Sequence, residues 1–312
     1  MENLIQTFSF NFHFFRIFGL APFIQKGTIF QKSIPWTYYS YAIIISHFTI
    51  QLINLCISYD FENSLQSYLW GLDTFILRFL PFISAIFILR DVSLLQDLLL
   101  FINNSFFKNR DIKTDKKCIE DAKYSFLFIF FTCLLIASTL PIGQSFCYKD
   151  FMNYLKKGKA HAILTNFCMV WRTLNAIAIC VQFSTYIFII RFCFKLINLN
   201  INYFSEKIFE NEEKSCEDDY SIVIRSLRNC DFKLRDFVER FINIYGVFVT
   251  LLCSATLFES LYDLTYVSFD KHEFYCQDIL SFYWVSYIWI MLFGILVSSV
   301  LLRKSVSINK LN

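Results

Sequence analysis

Six apolar runs, each near the roughly 20 residues that carry a helix across a bilayer, leave this chain few folds to choose from. They cover residues 38–58, 68–89, 124–144, 164–192, 241–262 and 279–302. Runs this long and continuous exclude a membrane β-barrel, so each predicts a helix. The composition agrees, since 56% of the residues are hydrophobic and the mean hydropathy is +0.46. The expected fold class is all-α: a polytopic transmembrane helix bundle with six predicted spans, forming one domain over residues 1–312. Residues 1–26 hold an apolar patch, but Glu2 precedes it, His13 and Arg16 interrupt it, and no small-residue cleavage site follows. They predict a short helix, at the cytoplasmic membrane surface or packed on the bundle, rather than a secretory leader.

The stretch 190–262 organises the rest. It holds no Gly or Pro before Gly246 and carries two apolar seams. The first is Ile190, Phe194, Ile197, Ile201, Phe204 and Ile208; the second is Val223, Leu227, Cys230, Leu234, Phe237, Phe241, Ile244 and Phe248. Both step by four and three residues, the spacing of one helix face meeting a partner. The intervening residues 210–219 are acidic and turn-like, and the remaining faces carry Lys207, Arg225, Arg228, Lys233, Arg235, Asp236, Glu239 and Arg240. The pattern predicts two long helices that pair as a hairpin in water over 193–240 and continue into spans four and five.

Lys and Arg set the orientation. With the N-terminus inside, 21 of them lie on the inner side, 5 on the outer side and 3 within spans. This imbalance places the N-terminus of a multi-pass membrane protein in the cytoplasm. Among the cysteines, Cys147 and Cys276 fall in outer loops, where they could pair or remain free thiols; the others sit in spans or on the reducing side. The sequon Asn103-Asn104-Ser105 falls on the inner side and is expected to stay unmodified.

No hydrolase, nucleotide-binding or metal motif is present, and His13, His47, His161 and His272 are scattered with no partner at ligand spacing. No enzyme activity, metal, cofactor or nucleic-acid partner is expected. What remains is polar and aromatic residues inside the spans, where polarity is costly and marks candidate sites. Span two carries Trp70, Asp73 and Arg78. Span four carries Trp171, Arg172 and Asn175, span five Glu259, and span six Tyr283, Trp284 and Tyr287. Apart from Arg78 near mid-depth, these fall in the outer half of the bundle. An aromatic-walled, sparsely polar cavity there would suit a small organic ligand. The competing reading makes the Trp and Tyr an interfacial belt and the charges structural pairs.

The chain resembles the insect gustatory receptor family, relatives of the insect odorant receptors. The resemblance covers most of the sequence. It rests on Phe15-Arg16-Ile17-Phe18-Gly19-Leu20-Ala21-Pro22-Phe23 before the first span and on the basic loop after Leu89-Arg90. It rests above all on Leu227-Arg228-Asn229-Cys230 through Asn243-Ile244-Tyr245-Gly246. It implies a seven-helix, ligand-gated cation channel subunit in a homo- or heterotetramer with other receptor subunits, detecting small-molecule tastants in membrane lipid without a G protein. The family's last helix carries a Thr-Tyr, five apolar residues and Gln-Phe; no such signature precedes Asn312. The expectation is therefore a fragment or truncated form lacking the seventh helix. The alternatives are an odorant receptor, a multispan transporter coupled through Asp73, Arg78 or Glu259, and a non-conducting receptor subunit.

Overall fold

The structure is a computed structural model of the chain. It describes residues 9–26, 29–58, 79, 82–102, 124, 127, 131, 135, 159–210 and 217–269. In chain order these give α1 (Ser9–Ile17), β1 (Phe23–Lys26), β2 (Ile29–Lys32), α2 (Ile34–Ser58), a helical segment at 82–90, α3 (Val92–Ile102), α4 (Lys159–Glu210) and α5 (Glu217–Phe269).

α4 and α5 are each unbroken over more than 50 residues. Neither has a proline, and Gly246 is the only glycine between Lys159 and Phe269, so nothing forces a kink. The two pack along the predicted seams. Ile190, Phe194, Ile197 and Phe204 from α4, and Leu227, Leu234, Phe241, Ile244 and Phe248 from α5, are all buried in one cluster. The helices run antiparallel, since Phe194 lies near Arg235 while Tyr186 and Phe183 meet Phe241 and Tyr245. The outer face of α5 up to Arg240 is charged and carries the i,i+4 pairs Arg235–Asp231 and Arg240–Asp236 at 2.8 and 2.9 Å. Such pairs add a few tenths of a kcal/mol each and chiefly keep this face hydrated.

Other elements dock on this pair. α1 and α2 pack on α4, and α3 packs on β2 and α5. Gln51 of α2 donates to the Cys168 carbonyl of α4 at 2.8 Å, with both groups buried. α3 joins the same core through Val92, Leu95, Leu98 and Leu99, and Phe101 meets Phe237 at 5.5 Å.

The fold is mostly helical but not wholly so. β1 and β2 form an antiparallel hairpin with Phe23 opposite Lys32 and Lys26 opposite Ile29. That register leaves two residues between the strands, and the sequence there is Gly27-Thr28, a composition suited to a two-residue hairpin. Among the described residues, one stretch, Ala178–Glu206, is long and apolar enough to cross a membrane. Of the predicted spans, 38–58 lies in α2, 164–192 in α4 and 241–262 in α5, and 82–89 of the second is helical. Residues 124, 127, 131 and 135 of the third are helical, and 279–302 lies outside the described residues.

The N-terminal segment enters through a close crossing. Gly19 has φ +72, and a Cβ there would sit 3.1 Å from the Ser40 Cα and carbonyl oxygen of α2. Both the left-handed backbone and the backbone-to-backbone approach require glycine. Gly246, in contrast, lies mid-helix with nothing within 4 Å of a built Cβ. Gly19→Ala is expected to cost about 1–3 kcal/mol and lower the thermal midpoint in detergent. Gly246→Ala should hold or raise it, by up to about 1 kcal/mol.

Candidate functional site

The apolar periodicity of α1 places Phe12 and Phe15 on one face, and Phe18 follows one turn later. All three are buried. Phe12 meets Tyr186 edge-on at 6.2 Å, and Phe18 meets Trp171 at 5.6 Å. The segment therefore packs along α4 rather than lying apart from the bundle. Gln182 of α4 fixes it, donating to the Leu20 carbonyl at 2.9 Å in a fully buried bond.

Trp171 is the centre of an aromatic cluster. Phe167 stacks on it at 6.0 Å and 14°, Phe18 leans on it, and Phe14 reaches Phe18 at 5.0 Å. Asn175, one turn on, is buried and donates to the Trp171 carbonyl at 2.8 Å. That back-bond satisfies one of its amide hydrogens inside an apolar helix. Thr185 and Asn200 bond the carbonyls of Val181 and Leu196 in the same way. Trp171 and Asn175 are thus together, with an aromatic wall and one buried amide. Such a surface suits stacking and shape recognition more than charge recognition.

The other predicted site residues are placed less fully. Arg172 lies in α4 and Glu259 in α5, and their side chains are outside the described residues. Trp70, Asp73, Arg78, Tyr283, Trp284 and Tyr287 lie outside the described residues altogether, as do Cys147 and Cys276. Among the described residues no group of His, Cys, Asp and Glu is arranged to hold a metal ion.

The structure adds residues that the sequence reading passed over. Phe18 supplies part of the wall around Trp171. Below it, the Gln182 side-chain oxygen and the hydroxyls of Tyr186 and Tyr245 are buried with no hydrogen-bond partner among the described residues. Gln182 and Tyr186 share one face of α4, and Phe183 and Phe241 pack between this face and Tyr245. Gln51 and Gln182 were visible as polar residues inside apolar runs, the same signal that singled out Asn175.

No protein-family model and no curated protein matches the chain. Solved structures do. The insect olfactory receptor OR5 from Machilis hrabei superposes with TM-score 0.65 at 13% identity, covering 95% of this chain and 79% of that one. A second structure of the same receptor, in complex with eugenol, gives TM-score 0.64 at the same identity and coverage. The chain thus has the fold of an insect olfactory receptor over nearly its whole length.

The Phe18–Trp171 contact is open to a double-mutant cycle. Phe18→Ala and Trp171→Ala should each lower thermal stability, and together cost less than their sum, by about 0.5–1.5 kcal/mol. Strict additivity would show that the two rings do not interact in solution.

Proposed function

We propose that the chain is an insect chemoreceptor subunit of the gustatory kind, gating a cation pore in the plasma membrane in response to small organic molecules. The observation that carries this reading is the likeness to a receptor fold over 95% of the chain. The neighbours are receptors, which favours a non-enzymatic role. The proposal includes a single transmembrane domain over 1–312, six spans at the positions given above, a cytoplasmic N-terminus and a tetramer with like or different subunits.

Surface chemistry supports the membrane placement. The outward face of α2 carries Tyr38, Tyr41, Ile45, Leu52 and Ile53, all exposed. A contiguous apolar face of this kind suits lipid better than water. On α5 the outward face is charged up to Arg240 and carries no charge from Phe241 to Leu257. This change marks the inner membrane boundary. Phe241 meets Tyr186 of α4, so the boundary falls near Tyr186. Trp171 is about four turns further along α4, roughly 22 Å away. That lies past the midplane of a hydrocarbon core about 30 Å thick. Asn175 comes out near the midplane. The aromatic cluster therefore sits where a ligand arriving from outside would meet it.

In this mechanism the ligand contacts Trp171, Arg172 and Asn175 together with Trp70, Asp73, Arg78, Glu259, Tyr283, Trp284 and Tyr287. It shifts the receptor toward an open state only as far as it binds that state better. Motion of α4 and α5 carries the shift into the cytoplasmic hairpin. An odorant receptor is the second reading, favoured by the olfactory neighbours, one of which was solved with eugenol.

Calcium influx in cells expressing the protein from its full transcript tests both readings. A response to sugars or bitter compounds supports the gustatory reading, and a response to eugenol alone supports the odorant one. Arg172→Ala or Trp284→Ala should shift the dose–response midpoint while surface expression holds. An unchanged response in the double variant would rule out the pocket as drawn.

A further inference from the structure

Three buried polar atoms lie where the N-terminal segment, α4 and α5 come together. They are the Gln182 side-chain oxygen and the hydroxyls of Tyr186 and Tyr245. All three residues are closed to solvent, and none of these atoms has a hydrogen-bond partner among the described residues. Buried polar atoms in folded proteins are nearly always bonded, because nothing else offsets the loss of water from them.

The three side chains converge. Gln182 and Tyr186 are one turn apart on α4, and both face the N-terminal segment. The Gln182 amide donates to the Leu20 carbonyl, and the Tyr186 ring meets Phe12. Long side chains in a helix lean back toward its N-terminus, which brings Tyr186 over Gln182. From α5, Tyr245 packs on Phe183, the residue after Gln182, at 5.3 Å. Phe241 lies against both tyrosine rings, 5.9 Å from Tyr186 and 4.6 Å from Tyr245. The two tyrosines are also close enough to interact electrostatically.

The chemistry of this set selects its ligand. An amide oxygen only accepts, while each phenol donates one hydrogen bond and can accept another. Together they call for a partner that both donates and accepts. Neither an amide nor a phenol is charged, which disfavours an ion. Phe12, Phe183 and Phe241 around them are themselves buried, so the partner has to be small enough to be sealed in with them. Water meets each of these requirements, and buried waters characteristically hold two to four such bonds.

We propose that Gln182, Tyr186 and Tyr245 enclose a structural water molecule. The water donates to the Gln182 oxygen and to one phenol, and accepts from the hydroxyl of the other. It links the Gln182 side chain, whose amide holds the N-terminal segment, to α5. The site rests on this packing and not on the receptor reading.

Two measurements on the full chain in detergent test this. Radiolytic hydroxyl-radical labelling, read by mass spectrometry, marks buried rings that touch bound water. Tyr186 and Tyr245 should be oxidised in the wild type, while Phe194, equally buried in the apolar seam, should stay unlabelled. Thermal unfolding of Tyr186→Phe, Tyr245→Phe and the double variant is the second. Each single change keeps the ring and should lower the midpoint by roughly 2–4 °C. The double variant should lose less than the sum, because both hydroxyls bond the same water. The proposal is overturned if either single variant holds or raises the midpoint, since deleting an unpaired buried hydroxyl is favourable. Strict additivity also overturns it. So does coupling without labelling, which would mean that the hydroxyls bond each other directly.

Discussion

The seam between α4 and α5 is the constraint on which the other elements depend. Neither helix could leave this apolar edge exposed to water, so each covers the other along the seam. Leu234, Phe194, Ile190 and Phe241 are buried because they interlock, and truncating such a residue to Ala costs about 2–5 kcal/mol. α1 and α2 then dock on α4, while α3 docks on α5 and on β2. Remove the seam and these smaller elements have no common surface.

The seam keeps one spacing while its surroundings change. Around Leu227 and Leu234 the back of α5 carries Arg225, Arg228 and Lys233, and on the proposed placement water drives the apolar edges together there. Beyond Phe241 the back of α5 is uncharged as far as Leu257. On the proposed placement, lipid replaces water there, and lipid gives no hydrophobic drive for association. Close aromatic packing takes over, with Phe183, Tyr186, Phe241 and Tyr245 in mutual ring contact. Polar side chains such as Thr185 and Ser254 are satisfied on their own helix, at 2.7 and 3.0 Å. One continuous interface thus joins two solvents. A rotation at one end must propagate to the other, because neither helix has a proline or a glycine pair to absorb it.

Local periodicity made the helices and seams legible. The four-three steps through Ile190–Phe204 and Leu227–Phe248 name residues that are buried, or in Ile201, Cys230 and Phe237 partly buried, because that spacing follows from helix geometry alone. Long-range placement was less visible. Nothing in the spacing of Phe12, Phe15 and Phe18 says that their face belongs to Trp171 and Tyr186, over 150 residues away. The β1–β2 hairpin was masked for a different reason. Its strands are four residues each, too short to show alternation beside longer apolar runs. For the candidate site, the sequence named Trp171 and Asn175, which lie one turn apart on α4 beside Phe167 and Phe18. Gln182 carried the same signal and was passed over because its partner is a backbone carbonyl, which has no sequence signature.

That partner explains why the N-terminal segment behaves as part of the bundle rather than as an appendage. Gln182 is fully buried, and its amide donates to the Leu20 carbonyl. Were the segment to leave, Gln182 would face an apolar groove with an unmet donor, and unpaired burial of such a group costs about 1–3 kcal/mol. Phe12, Phe15, Phe18 and Phe23 would leave buried positions at the same time. Arg16 would lose the Trp36 face and the Phe23 carbonyl together. Gly19, whose lack of a side chain lets the backbone pass close to Ser40, belongs to the same set of contacts. While the segment is seated, Phe18 ties it to the ring of Trp171.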